Sequence, residues 1–450
     1  TLSPSSAASD VYKRQPPPGM ARSGGTEASY GISFRSGGDR SIAAGVLFLP
    51  GNDRRDGTEE EVLKNGMLRA FGMRTVERYK ICVLCFAFQR FIATFDSEES
   101  TKDMRKILLM PAAFLYKQAV RLRHRLFDWG VLRSEKFDVP VICIGNITVG
   151  GTGKTPMAEM VIAYMRQTHN VALLSRGYGR RTKGYLEVGA DAHYRDVGDE
   201  PLQIKRKFPD AVVVVCERRA EGIRRLTAEH PEVDLIVMDD GFQHRYVEPK
   251  INIVMIDATR PVQHDRMLPA GTLRDLPEEL HRAHYFVVTK CPENMAPIER
   301  RILRKVLIQV AYQKVYFSRF ESFRPQPLFP DATAEEGIRH GQEVIAFSGI
   351  GNPRPFTDAL AENYRVVEEL QFDDHHVYRV RDVKAIAGLL ERHPGAVAVT
   401  TEKDAVKFAN RDKIPPEMRG RLYYLPINIS FIDDSETDFL QKLEQDVRGN

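Results

Sequence analysis

The chain has 450 residues, 42% of them hydrophobic, which is enough for two or three domains with a sizeable core. Its 65 Lys and Arg stand against 61 Asp and Glu, and a net charge of +4 is too small to point to a nucleic-acid partner. Five cysteines, an odd number in a long chain, argue against a secreted disulfide scaffold. No run of about 18 apolar residues occurs, so no transmembrane helix is expected.

Residues 1–103 begin rich in Ser, Gly, Ala and Pro, with Pro16 to Pro18 in a row and no apolar period. That composition is expected to be disordered or extraneous, and the stretch SSAASDVYKRQ resembles translated sequencing-adapter read-through. Cys82 and Cys85 form a lone C-x-x-C with no second pair to complete a zinc site. Met104 is the expected natural start, with Met20, Met67 and Met73 as the other candidates. Residues 104–135 then read as an amphipathic helix. Leu115, Ala119, Leu122, Leu126 and Trp129 recur at helical spacing, while Lys117, Arg121, His124 and Arg125 take the other face. Two readings are open for it: a helix lying in a membrane interface beside anionic lipid, or one packed on its own domain with a solvated basic face.

From Val139 an apolar, β-branched run breaks into the glycine-rich turn GNITVGGTGKTP, and Met157 to Met165 reads as the helix that follows. Strand, glycine loop and helix together describe a phosphate-binding loop over Thr148, Val149, Gly150, Gly151, Thr152, Gly153, Lys154 and Thr155. Backbone N–H groups surround phosphate oxygens, Lys154 supplies a cation, and the Thr155 hydroxyl suits Mg²⁺. The loop is a variant, because Thr148 stands where the G-x-x-x-x-G-K-[ST] pattern has its first glycine.

Short apolar runs follow at Val171–Leu174, Val212–Cys216, Leu235–Met238, Ile251–Ile256, Phe286–Val288, Val344–Phe347 and Val397–Val399, separated by helix-length segments. The alternation predicts an α/β fold with a doubly wound, mainly parallel sheet of the P-loop NTPase type over 136–325. A linker is expected at Phe320–Gly341, then a smaller C-terminal α/β lobe over 340–450, with a ligand cleft between the two. Cys143, Cys216 and Cys291 sit on or beside strand runs, as small buried thiols do. Asp239 and Asp240 end the run Leu235–Met238, where acidic residues hold Mg²⁺ beside loop-bound phosphates, or simply form a solvated turn.

Two other classes of P-loop protein are disfavoured. A GTPase switch needs an aspartate that Thr289-Lys290-Cys291-Pro292 lacks, and a membrane-associated partitioning ATPase needs a lysine where Val149 stands.

The motifs GNITVGGTGKTP, SRGYGRR, VGDEP, DDGFQH, LPAGTLRD, FDDHHVY and TTEKDAVK resemble, in that order, those of the bacterial tetraacyldisaccharide 4′-kinases. The resemblance runs from Met104 to about Leu440. It implies an ATP- and Mg²⁺-dependent enzyme that phosphorylates the 4′-hydroxyl of a lipid A disaccharide 1-phosphate to give lipid IVA, working peripherally at the cytoplasmic face of the inner membrane. It also implies roles by position: Lys154 on the β/γ oxygens, Asp239 and Asp240 near the metal, and Asp199 with His375 as an acid-base dyad. Arg218 and Arg274 would supply further cations, and Asp275 would approach the metal where the family usually has a glutamate. Without the resemblance, Asp199 reads as a loop carboxylate, and either His375 or the adjacent His376 reads as a surface residue. His244 reads more readily as a packing residue than as a catalyst. Arg176, Arg180 and Arg181 suit either a substrate phosphate or a solvated loop.

Overall fold

The computed structural model describes residues 98–329, 337–408 and 414–449, with side chains from Leu108 onward except at position 434. The expectation for the opening segment therefore lies outside the described residues up to position 97, as do Cys82 and Cys85. The first described helix, α1 (Glu98–Asp128), starts ahead of Met104, where the acidic residue types at 98 and 99 favour a helix start.

Strands β1 (Val141–Gly145), β2 (Val171–Ser175), β4 (Val212–Val215), β5 (Leu235–Asp239), β6 (Ile251–Asp257) and β7 (Tyr285–Thr289) match the apolar runs, the two-residue β3 (Leu186–Glu187) matches none, and β8 (Lys314–Ser322) follows. β9 (Gln326–Pro327), β10 (Glu343–Ser348), β11 (Arg365–Gln371), β12 (Val397–Thr401), β13 (Leu422–Leu425) and β14 (Ile427–Phe431) complete the set. The larger sheet has nine strands in the order β14-β8-β7-β6-β1-β5-β2-β4-β3, and the smaller has five in the order β11-β10-β12-β13-β9. From β8 to β4 every pairing is parallel, and only the edge strands β3 and β14 run antiparallel. β1, β2, β5, β6 and β7 are buried along their whole length, which is why they read as continuous apolar runs rather than alternating ones.

The helices that matter for the site are α2 (Lys154–Met165), α3 (Asp199–Lys207), α4 (Arg219–Glu229), α5 (Pro297–Leu307), α6 (Val380–Arg392), α7 (Glu402–Ala405) and α8 (Glu436–Arg448). One apolar layer joins α2 (Met157, Val161, Met165) to α8 (Phe439, Leu443, Val447). The C-terminal lobe is thus shorter than 340–450, because the chain returns to the large sheet through β14, paired with β8, and through α8. The expected linker differs as well. β8 runs through Phe320 to Ser322, and β9 joins the second sheet against β13. Short alternating strands such as Ile427-Asn428-Ile429 carry no sign of which sheet they will join, so only the fold assigns them.

β1 lies between β5 and β6 with Ile144 level with both Asp239 and Ile253, and β6 pairs Asp257 with Thr289 on β7. The carboxyl ends of four strands therefore meet at one edge, where an open α/β sheet holds its ligand.

Candidate active site

The loop between β1 and α2 is held open from several sides. Val149 N donates to Thr272 O at 2.8 Å and Arg274 N to Ile147 O at 2.8 Å, so the LPAGTLRD segment braces its first half. Asn146 Nδ2 donates to Thr152 Oγ1 at 2.7 Å and Thr289 Oγ1 to Thr152 O at 3.1 Å, which fixes its second half from buried positions. Gly150 and Gly153 have φ of +104° and +86°, in the left-handed region, and a Cβ on Gly153 would stand 2.6 Å from Phe320 Cζ. The loop then delivers Lys154 and Thr155 to the amino end of α2, where unpaired N–H groups favour an anion.

Asp239 and Asp240 behave differently although they are neighbours. Asp240 takes φ +47° and turns into the site, where Arg274 Nη1 donates to its Oδ2 at 3.0 Å and Lys154 Nζ lies 3.7 Å from its Oδ1. Burial works to raise its carboxyl, but Arg274 and Lys154 outweigh it and hold the group at about 2. Asp239 is buried, and one of its carboxylate oxygens has no hydrogen-bond partner among the described residues. Burial, with the nearby Glu200 and Asp240 charges, pushes it up to about 7. A buried carboxylate oxygen without a partner, next to a phosphate loop, fits a divalent cation. No three His, Cys, Asp or Glu side chains converge as a ready metal cage among the described residues. Mg²⁺ binds through one or two carboxylates and completes its shell with substrate phosphates and water, and Asp239 and Asp240 fit that donor set.

The structure does not bring Asp275 into this set. Its carboxylate is 1% exposed, 2.7 Å from His124 Nε2 and 3.6 Å from Arg282 Nη2, and it accepts from Leu276 N at 2.9 Å. His124 Nδ1 in turn lies 3.1 Å from Glu279 Oε2 and 3.1 Å from Arg245 Nη1. Here the Asp275 carboxylate serves a buried ionic joint that ties α1 to the Arg274 loop. Tyr116 strengthens that tie by donating to Arg274 O at 3.0 Å. His124 is therefore on the docking face of α1, not on the basic face expected of it. Nor does Arg218 reach the site: its side chain is 86% exposed and pairs with Glu221 at 3.6 Å. The next residue, Arg219, is the buried one, donating to Cys216 O at 2.6 Å and to Asp239 O at 3.3 Å.

Asp199 and His375 meet across the two lobes, with Asp199 Oδ2 3.2 Å from His375 Nδ1. Asp199 opens α3, and His375 lies in the loop after β11 with φ +57°, a conformation that costs about 1–3 kcal/mol and concentrates at functional sites. Burial works to raise the Asp199 carboxyl, but His375, Lys403 and Lys407 prevail and hold it below the usual carboxylate range. Lys403 Nζ stands 3.2 Å from His375 Nε2 and 3.9 Å from Asp199 Oδ2. The neighbouring His376 turns away to Asp382 at 2.9 Å and stacks on Phe372. Glu200, beside Asp199, also acts electrostatically on Asp239, raising its carboxyl.

Sequence reasoning missed Lys403, although it lies in the quoted TTEKDAVK motif. It also missed Arg260, whose Nη2 lies 3.2 Å from where a Gly150 Cβ would stand, and which shares Asp257 with Lys290. The available signal was Asp257 itself, an acidic strand end like Asp239. Arg180 is taken up by Glu217 at 2.7 Å, whereas Arg176 and Arg181 are exposed. His244 is a packing residue: it contacts Glu217 O at 3.0 Å, and burial with the Arg219 charge lowers it to about 4.

A family model described as LpxK, tetraacyldisaccharide-1-P 4′-kinase, matches residues 105–448. A tetraacyldisaccharide 4′-kinase of Parabacteroides distasonis is 41% identical over 347 residues, covering 76% of this chain and 94% of that protein. One of Phocaeicola vulgatus is 38% identical over 348 residues, covering 76% and 95%. The crystal structure of LpxK from Aquifex aeolicus in complex with ATP aligns with a TM-score of 0.58 at 26% identity, over 75% of this chain and 98% of that one. With the ordered motifs and the loop geometry, these matches establish that the chain belongs to the tetraacyldisaccharide-1-phosphate 4′-kinase family.

Proposed function

We propose that this protein transfers the γ-phosphoryl group of ATP to the 4′-hydroxyl of a tetraacyldisaccharide 1-phosphate, with Asp199 as the base. The single observation that carries the reading is the contact of a buried carboxylate, Asp199, with His375 in a chain that also holds a phosphate loop, since neither a GTPase switch nor a partitioning ATPase needs a base aimed at a sugar hydroxyl.

Phosphoryl transfer rests on positioning and charge neutralisation. Backbone N–H groups of Gly150 to Thr155 and the Lys154 ammonium hold the triphosphate, and Arg274 adds a second cation. Asp239, Asp240 and Thr155 would hold Mg²⁺, which supplies neutralisation of charge on the phosphate oxygens. Asp199 accepts the hydroxyl proton as the sugar oxygen bonds to the γ-phosphorus and the bond to the bridging oxygen breaks. Its lowered pKa keeps it ionised and ready at neutral pH. His375 fixes the direction of that carboxylate, and Lys403 stabilises its charge.

The acceptor's acyl chains belong in a bilayer, and α1 suits such a neighbour. Its docking face is Ala113, Tyr116, Val120, His124 and Phe127, whereas Phe114, Leu115, Leu122 and Trp129 are exposed, with basic side chains beside them. A helix with an apolar outer face fits a membrane interface better than water. No helix among the described residues is long and apolar enough to cross a membrane. We therefore read the protein as a peripheral enzyme of an anionic membrane, at the face where ATP is present. Mass spectrometry of the lipid after incubation with ATP and Mg²⁺ tests the reaction. One added phosphate on the non-reducing sugar is expected, and an unchanged lipid alongside hydrolysed ATP contradicts the reading.

A further inference from the structure

The apolar exterior of α1 is not alone on its side of the sheet. Of its aliphatic side chains helix α5 buries only Leu307 fully and Leu303 partly, yet Ile298, Ile302 and Val306, four residues apart and hence on one face, are 60%, 56% and 41% exposed. A surface helix normally turns its aliphatic stripe inward, and this one shows a second stripe to the outside. Arg301 and Lys305 flank that stripe and have no carboxylate partner among the described residues.

Helices α1 and α5 share one support. Ala113, Tyr116 and Val120 of α1 belong to the same apolar layer as Leu303 and Leu307 of α5, over one face of the large sheet. The turn Pro277–Arg282 touches both sides. Glu278 lies 3.8 Å from Arg121 of α1, and Pro277 O accepts from Gln309, just beyond α5, at 3.1 Å.

We infer that α5 is a second contact with the anionic lipid surface, in which Ile298, Ile302 and Val306 enter the interface and Arg301 and Lys305 meet lipid phosphates. The inference rests on the membrane reading of α1 given above. Charge complementarity and continuity with the α1 face select lipid as the occupant. A single interfacial helix leaves the protein free to roll about that helix axis, and a second one at a distance stops the roll. The phosphate loop then keeps a constant aspect toward the bilayer that carries the acceptor.

The test labels single cysteines with an environment-sensitive fluorophore in a Cys82→Ser, Cys85→Ser background, at Phe114→Cys, Ile302→Cys and, as a remote control, Glu391→Cys. Phosphatidylglycerol-containing vesicles should brighten and blue-shift the labels at 114 and 302, with quenching by a lipid-borne quencher, and leave 391 unchanged. The double variant Ile298→Ser, Ile302→Ser should weaken vesicle binding about tenfold while ATP binding is retained, as the loss of two interfacial side chains predicts. A response at 114 without one at 302 overturns the inference and leaves the α1 reading intact. Silence at both positions overturns both. If the double variant instead dissociates an oligomer in the absence of lipid, the stripe binds a second copy of the chain and the inference fails.

Discussion

The phosphate half of the site and the acceptor half are built in opposite ways. The first is local: β1, its loop and the start of α2 carry the eight consecutive residues of the proposed anion site, braced by Asn146, Thr272 and Thr289. The second joins Asp199 on the large lobe to His375 and Lys403 on the small one, side chains that meet only after both sheets have formed. A local site is present whenever its strand-loop-helix unit folds, whereas the dyad depends on how the two lobes are set together. Changes in lobe arrangement should therefore alter acceptor chemistry before they alter ATP binding.

The largest expected effect lies in the local half. Lys154→Ala removes a point charge that no neutral side chain replaces, so kcat should fall by about 10³-fold or more with the fold intact by circular dichroism. Near-normal turnover would remove the loop from the mechanism.

Next comes the non-local half. Asp199→Ala or His375→Ala should lower kcat by about 10²–10⁴-fold and leave ATP affinity nearly unchanged, as measured by nucleotide titration. The double variant should resemble the worse single one, because the pair acts as a unit. His375 is among the contacts that hold the Asp199 carboxyl low. In the residual activity of His375→Ala the acid limb of the pH profile should accordingly move to higher pH. His376→Ala, which breaks the Asp382 contact, should cost stability and not kcat. The reverse pattern for the two histidines would shift the dyad by one residue.

The buried joint between α1 and the Arg274 loop sharpens the comparison in a third place. Asp275→Asn should lower stability by about 1–3 kcal/mol, with a double-mutant coupling to His124→Ala, and should leave the Mg²⁺ dependence of turnover unchanged. A large rise in the Mg²⁺ requirement would return Asp275 to the metal. The smallest effect belongs to Arg218→Ala. A side chain 86% exposed, with a single surface ion pair, should change kcat less than about twofold and stability by less than about 0.5 kcal/mol.

What was legible in the sequence follows the same division. The strand, glycine turn and helix over 139–165 and the acidic end of β5 are short-range patterns, so residues and spacing sufficed to place them in the fold. The parallel sheet was legible too, because doubly buried strands leave continuous β-branched runs. Asp199 and His375 carried no local signal, and only resemblance to a family linked them across the 176 positions that separate them. Helical spacing divided α1 into two faces but could not say which one docks, so His124 was assigned to the basic face although it is buried against Asp275 and Glu279. Arg218 and Arg219 are adjacent arginines at the start of α4, and only the packing under Asp239 decides which of them turns inward.

The most direct measurement is transfer of label from γ-labelled ATP to a lipid A disaccharide 1-phosphate in anionic mixed micelles with Mg²⁺, run on the wild-type chain and on Asp199→Ala. Label in the lipid fraction is expected for the wild type and a loss of about 10²-fold or more for the variant, with ATP binding equal in the two. A folded, ATP-binding wild-type protein that leaves the lipid unlabelled, or an Asp199→Ala variant that labels it at the wild-type rate, would contradict it.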